Sequence, residues 1–122
     1  MLIVDDNRDS ADTMGMLQQM QGHEVRVAYD GQQGLSVAGE FTPDVILLDI
    51  GLPRMDGYEV ARRLRQLPSL KDAFIVAMTG YGSESDRARS LDAGFNEHLV
   101  KPTDLEQIRK ILEGRVLEKC AK

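Results

Sequence analysis

Cysteine is nearly absent. Cys120 stands alone in 122 residues, so no disulfide can form within the chain, and a reducing, cytoplasmic compartment is the expectation. Basic residues are in the minority: 15 Lys and Arg against 20 Asp and Glu leave a formal net charge of -5. That argues against a nucleic-acid surface, which needs a basic patch or stripe, and does nothing for adhesion to anionic membranes. Apolar runs are short, none near the length that spans a bilayer, and Met1 leads straight into a strand pattern instead of a signal peptide. Repeats and low-complexity segments are missing as well. What remains is one domain's worth of chain, 42% apolar and 29% charged, sufficient for a single core.

The strongest local signal is Val45-Ile46-Leu47-Leu48-Asp49, a β-favouring apolar run ending abruptly in a carboxylate. Too short for a helix, it reads as a strand buried on both faces, in the middle of a parallel sheet. Turn residues follow at Gly51, Pro53 and Asp56-Gly57. Four more strands are expected: Met1 to Val4, Glu24 to Ala28 with the alternation of an edge, Phe74 to Met78 ending at Thr79-Gly80, and Glu97 to Val100. Helices fit between them. Arg8 to Gln21 carries Ala11, Met14, Leu17 and Met20 at helical spacing and stops at Gly22; a short helix runs from Gly31 to Ala38, closed by Gly39. Tyr58 to Leu67 sets Val60, Ala61, Leu64 and Leu67 against three arginines and breaks at Pro68. Ser83 with Asp86 and Thr103 with Glu106 read as capping boxes of two further helices. The first has Ala88 and Leu91 inward and ends at Gly94; the second has Leu105, Ile108, Ile111 and Leu112 inward.

Five alternations of strand and helix mean parallel strands, right-handed crossovers and helices on both faces. The expected fold is α/β, a flavodoxin-like (βα)5 three-layer sandwich with strand order 2-1-3-4-5 and a ligand crevice where the order reverses. The whole of 1–122 is read as a single domain with a core of about 1–113 and a tail from Gly114 that is a helix end or a linker. The absence of any lead-in before the first strand suggests a domain trimmed at its front.

Asp5 and Asp6 end the first strand and Asp49 the third, so three carboxylates converge in that crevice. At an effective dielectric of about 20, a pair of charges ~4 Å apart costs roughly 4 kcal/mol. A raised pKa, a nearby cation or a bound metal relieves the repulsion. An all-oxygen donor set suits Mg²⁺ or Mn²⁺, not zinc, and Mg²⁺ favours sites completed by phosphate oxygens. Thr79 ends the fourth strand with a hydroxyl for a phosphoryl oxygen, beside the small Gly80. Lys101 ends the fifth with a mobile ammonium, and Pro102 after it lowers the cost of a cis peptide bond that would aim the lysine inward.

Taken together, Asp5-Asp6, Asp49, Pro53 with Met55-Asp56-Gly57, Thr79-Gly80 and Lys101-Pro102 resemble the receiver domain of two-component response regulators over essentially the whole chain. Asp49-Ile50-Gly51-Leu52-Pro53 and Met78-Thr79-Gly80-Tyr81-Gly82 are similar to receivers attached to hybrid histidine kinases. The resemblance implies that Asp49 takes a phosphoryl group from a phosphohistidine on a histidine kinase or histidine phosphotransfer protein. It implies Mg²⁺ on Asp6, Asp49 and the main-chain carbonyl of Gly51, with Asp5 acting mostly through water, and Thr79 and Lys101 reading the acyl phosphate. It further implies slow autodephosphorylation tuned at Gly51 and Tyr81, and a switch in which Thr79 moves and the surface of the fourth helix, fifth strand and fifth helix repacks. Self-dimerisation through that surface, and fusion to kinase or effector domains, stay open. Where many receivers carry Tyr or Phe three residues before the lysine, this chain has His98.

Each motif alone has a plain reading as a turn or cap, and only their coincidence at four strand ends carries weight. His23 and His98 read as surface rings, Arg62, Arg63 and Arg65 as an exposed helix face, the helically spaced methionines as core, and Cys120 as incidental. A phosphatase of the haloacid dehalogenase type expects a second acid where Gly51 stands, and more room for a cap domain. A flavodoxin-like electron carrier expects Ser, Thr and Gly in place of Asp5-Asp6-Asn7. A receiver-shaped module that is never phosphorylated would not need this full residue set.

Overall fold

A computed structural model describes residues 1–52, 54–79, 92–100 and 106–111. The chain runs β1 (Leu2–Val4), α1 (Arg8–Met20), β2 (Arg26–Ala28), α2 (Gly31–Phe41), β3 (Val45–Asp49), α3 (Gly57–Gln66), a 3₁₀ turn (Pro68–Leu70), β4 (Phe74–Thr79) and β5 (Glu97–Val100), with 106–111 helical. The strands form one sheet in the order β2-β1-β3-β4-β5, every pair parallel. This is the expected order, and β3 is buried along its whole length.

Side chains alternate across a strand, so each buried strand feeds two cores. Leu2, Val4, Ile46, Leu48, Ile75 and Ala77 pack on one face with Ala38 of α2 and Val60, Ala61 and Leu64 of α3. Ile3, Val45, Leu47, Val76, Met78 and Leu99 pack on the other with Ala11 of α1 and Ile108. Caps start the helices: the side chains of Asn7, Asp30 and Asp56 accept from the N–H groups of Ser10, Gln33 and Glu59.

Several expectations need correcting. Met20 is not core: it is 79% exposed and Met16 64%. α1 is rotated so that Ala11, Gly15 and Gln18 face inward, because a Cβ on Gly15 would already lie 3.0 Å from Val27 Cγ2 on β2. Gly39 does not close α2. The helix runs on to Phe41 and stops at Thr42, whose φ of 46° is left-handed. Pro43 follows, and a residue before proline is steered away from the helical region. Arg65 does not share the exposed face of Arg62 and Arg63; it is half-buried and donates to Gly94 O, Ala73 O and Asn96 Oδ1 at 2.9, 2.6 and 2.5 Å. Gly22 and Gly94 do take positive φ (93° and 104°), as helix-ending glycines should. The capping boxes at Ser83 and Thr103, the inward Ala88, Leu91, Leu105 and Leu112, and the tail with Cys120 lie outside the described residues. Among the described residues no helix is long and apolar enough to cross a membrane.

Candidate functional site

Pairing sets the geometry. β1 and β3 align Ile3 with Leu47 and Val4 with Leu48, so one further step puts Asp5 beside Asp49. Both acids follow the pleat phase of Ile3 and Leu47 and leave the sheet on the same side. Asp6 then closes on them: Asp5, Asp6 and Asp49 each offer a carboxylate oxygen, all within 4.8 Å of one another. Asp5 and Asp49 are 3% and 6% exposed, whereas Asp6 is open to solvent.

Backbone N–H groups hold the two buried acids. The N–H of Asn7 donates to Asp5 Oδ1 and that of Gly51 to Asp49 Oδ1, each at 3.0 Å. Each bond holds one oxygen of its carboxylate. Three hard oxygen donors at this spacing, two of them oriented, suit a small divalent cation.

Thr79 ends β4, 5% exposed, one residue past Met78, the partner of Asp49 in the β3–β4 register. It therefore stands at the same edge of the sheet as the acids. His98 lies half-buried on β5 opposite Ala77, and His23 is exposed. Gly51 sits exposed two residues beyond Asp49. Pro53, Gly80, Tyr81, Lys101 and Pro102, with the expected cis peptide, lie outside the described residues.

In the sequence Asp56-Gly57 reads as a turn, yet Gly57 is the first residue of α3, and its N–H donates to Ile50 O at 2.9 Å. A Cβ there would fall 2.6 Å from Asp49 O and 2.6 Å from Ile50 Cα. Backbone rests on backbone, so neither side can yield without moving Asp49. Asp56-Gly57 just before an apolar helical stripe was the available signal, a cap followed by a residue with no side chain. Gly57→Ala is expected to destabilise the fold by about 1–3 kcal/mol through overpacking. Urea denaturation checks this; an unchanged midpoint would show that the loop gives way freely.

Residues 1–113 match the family model of the response regulator receiver domain. The DNA-binding dual master transcriptional regulator RpaA of Synechocystis is 35% identical over 107 residues, which cover 88% of this chain and 44% of that protein. The chain thus spans under half of that relative. Among solved structures, the chemotaxis protein CheY4 of Vibrio cholerae is similar at TM-score 0.88 and 30% identity, covering 92% of this chain and 93% of that one. A Burkholderia pseudomallei response regulator, solved with a phosphorylated aspartic acid, calcium ion and citrate, is similar at TM-score 0.81 and 26% identity, covering 96% and 72%.

Proposed function

Because the chain belongs to the response regulator receiver domain family, a phosphoaccepting module of two-component signalling, we propose that Asp49 is its phosphoacceptor and phosphohistidine its donor. The observation that carries this is the convergence of Asp5, Asp6 and Asp49 within 4.8 Å at the tips of adjacent strands. The phosphorylated aspartic acid and calcium ion of the Burkholderia relative support the same assignment.

In this reading the Asp49 carboxylate attacks phosphorus in line. An O–P bond forms, the P–N bond to the donor imidazole breaks, and the departing ring nitrogen is left to take up a proton. Receivers need little covalent machinery for this, since phosphoryl transfer runs on positioning and charge stabilisation. Positioning comes from the Gly51 N–H on Asp49 Oδ1 and from the backbone contact with Gly57. Asp6, Asp49 and the Gly51 carbonyl would hold Mg²⁺, or Mn²⁺ in its place, and Asp5 would act through water. A divalent ion supplies the positive charge that lets an anionic donor enter an acidic crevice. Thr79 and Lys101 are assigned to the phosphoryl oxygens, and Gly51 and Tyr81 to tuning hydrolysis.

The new charge, about -1.5 to -2 if an acyl phosphate behaves like other phosphorylated side chains, would draw Thr79 inward. His98 is then the β5 residue that responds, and the surface around β5 is the one read by partners. Those partners are a histidine kinase or a histidine phosphotransfer protein upstream, with fused or separate effectors downstream.

Incubation with acetyl phosphate and Mg²⁺, followed by intact mass, tests the reading. One added phosphoryl group, lost at alkaline pH and not formed in EDTA, is expected. An unchanged mass would leave a receiver-shaped binding module and end the proposal.

A further inference from the structure

The β3–α3 loop contains a residue in the wrong conformation for its type. Arg54 has a φ of 66°, in the left-handed region that glycine enters freely and a side chain enters at a cost. Leu52 on one side is buried and Met55 on the other packs half-buried against the core. Arg54 is held between these anchors with its side chain exposed.

Most arginines of the described residues are engaged. Arg8 lies over the Tyr29 ring at 4.3 Å and Arg26 over Phe41 at 4.7 Å. Arg62 and Arg63 pair with Glu59, and Arg65 binds main-chain carbonyls. Among the described residues, Arg54 makes no hydrogen bond, ion pair or ring contact. A local rule is broken in the loop that leaves Asp49, with no hydrogen bond, ion pair or ring contact among the described residues to compensate; such departures gather where function requires them.

The loop also returns to where it began. Gly57 touches the Asp49 backbone, and Arg54 is three residues before it, so its Cα lies within about 11 Å of Gly57 at full extension. That is close to one Debye length at physiological salt, about 8 Å, and well inside the roughly 30 Å of 0.01 M salt. The crevice itself carries three carboxylates and the chain a net charge of -5, both unfavourable to an incoming phosphoryl anion.

We propose that Arg54 attracts the anionic phosphodonor, an acyl phosphate or phosphohistidine, to the Asp49 crevice, and that its strained backbone is retained for that charge. This inference rests on Asp49 being the phosphoacceptor. One cation acting on a dianion at ~10 Å through water predicts about a three- to fourfold effect at low salt.

The test is the second-order rate of phosphorylation by acetyl phosphate with Mg²⁺, in salt from about 0.01 to 1 M. Arg54→Gly is expected to be at least as stable as the wild type, about three- to fourfold slower at 0.01 M, and equal to it at 1 M. Arg54→Lys, which keeps the charge and the strain, is expected to track the wild type throughout. Equal rates for Arg54→Gly at 0.01 M would overturn the inference, as would a deficit that persists at 1 M, which would indicate loop conformation and not charge. If the wild type itself takes up no phosphoryl group, the phosphoacceptor reading falls and this inference with it.

Discussion

Asp49→Asn is expected to take phosphoryl uptake from one group per chain to none while leaving the fold intact. The substitution is nearly isosteric, and an Asn side-chain oxygen can still accept the Gly51 N–H that Asp49 Oδ1 now accepts at 3.0 Å. What disappears is the nucleophilic carboxylate and one of three negative charges within 4.8 Å. Two opposite stability effects follow. Without divalent ion the variant is expected to match or exceed the wild type, because repulsion in the cluster falls. With Mg²⁺ the wild type is expected to gain by linkage, about 2.7 kcal/mol at a concentration a hundred times its Kd. The variant, with one direct ligand weakened, is expected to gain less than half of that. Intact mass after acetyl phosphate and urea midpoints with and without Mg²⁺ report all three effects. A variant that still gains mass would move the phosphoacceptor elsewhere. A variant markedly less stable without Mg²⁺ would mean that Asp49 serves the fold before it serves the chemistry.

The parts of this domain that could be read in advance are those where a residue's meaning is local. Four β-favouring apolar residues ended by an acid, too short for a helix, read as a buried strand with a carboxylate at its tip, and β3 is that strand. With the strands parallel, ordered 2-1-3-4-5 and in the register that pairs Val4 with Leu48, the pleat brings Asp5 to Asp49. The misreadings share a different cause. Met20 fits the apolar spacing of α1, but the buried stripe runs through Ala11, Gly15 and Gln18, because Gly15 allows close approach to Val27, and Met20 is left in solvent. Gly39 reads as a stop, yet nothing lies within 4 Å of a Cβ there, and the helix passes through to Phe41 before the left-handed Thr42 ends it. Gly57 looked like a turn, and its importance lies in a contact seven residues back along the chain that no spacing rule reports. In each case a second element decides, and the sequence window holds only the first.

Arg65 is the furthest of these from anything its neighbours suggest. Arg62, Arg63 and Arg65 share one face of a pattern, yet the third bends back under α3. Its Nε donates to Gly94 O at 2.9 Å, its Nη1 to Leu70 O, Lys71 O and Ala73 O at 3.3, 3.1 and 2.6 Å, and its Nη2 to Asn96 Oδ1 at 2.5 Å. The same Asn96 oxygen accepts the Ile75 N–H at 2.9 Å, so the guanidinium joins the end of α3, the 3₁₀ turn and the entries to β4 and β5. Burial lowers its pKa from the usual arginine value, with Asp72 opposing, but the group stays charged. Gly94 is part of the same joint, since a Cβ there would meet Arg65 Cγ at 2.8 Å. Arg65→Ala strips the donors from partly buried carbonyls with no side chain in place to replace them, and is expected to cost about 2–4 kcal/mol. Arg65→Lys keeps the charge but not the planar fork, so less than half of the loss should be recovered. Arg62→Ala and Arg63→Ala, which remove solvent-exposed arginines paired with the half-exposed Glu59, should stay within about 0.5 kcal/mol of the wild type. Urea midpoints of the four variants decide between the two roles. If Arg65→Ala fell in with its two neighbours, the carbonyls it binds would have to find water at no cost, and the joint would hold without it.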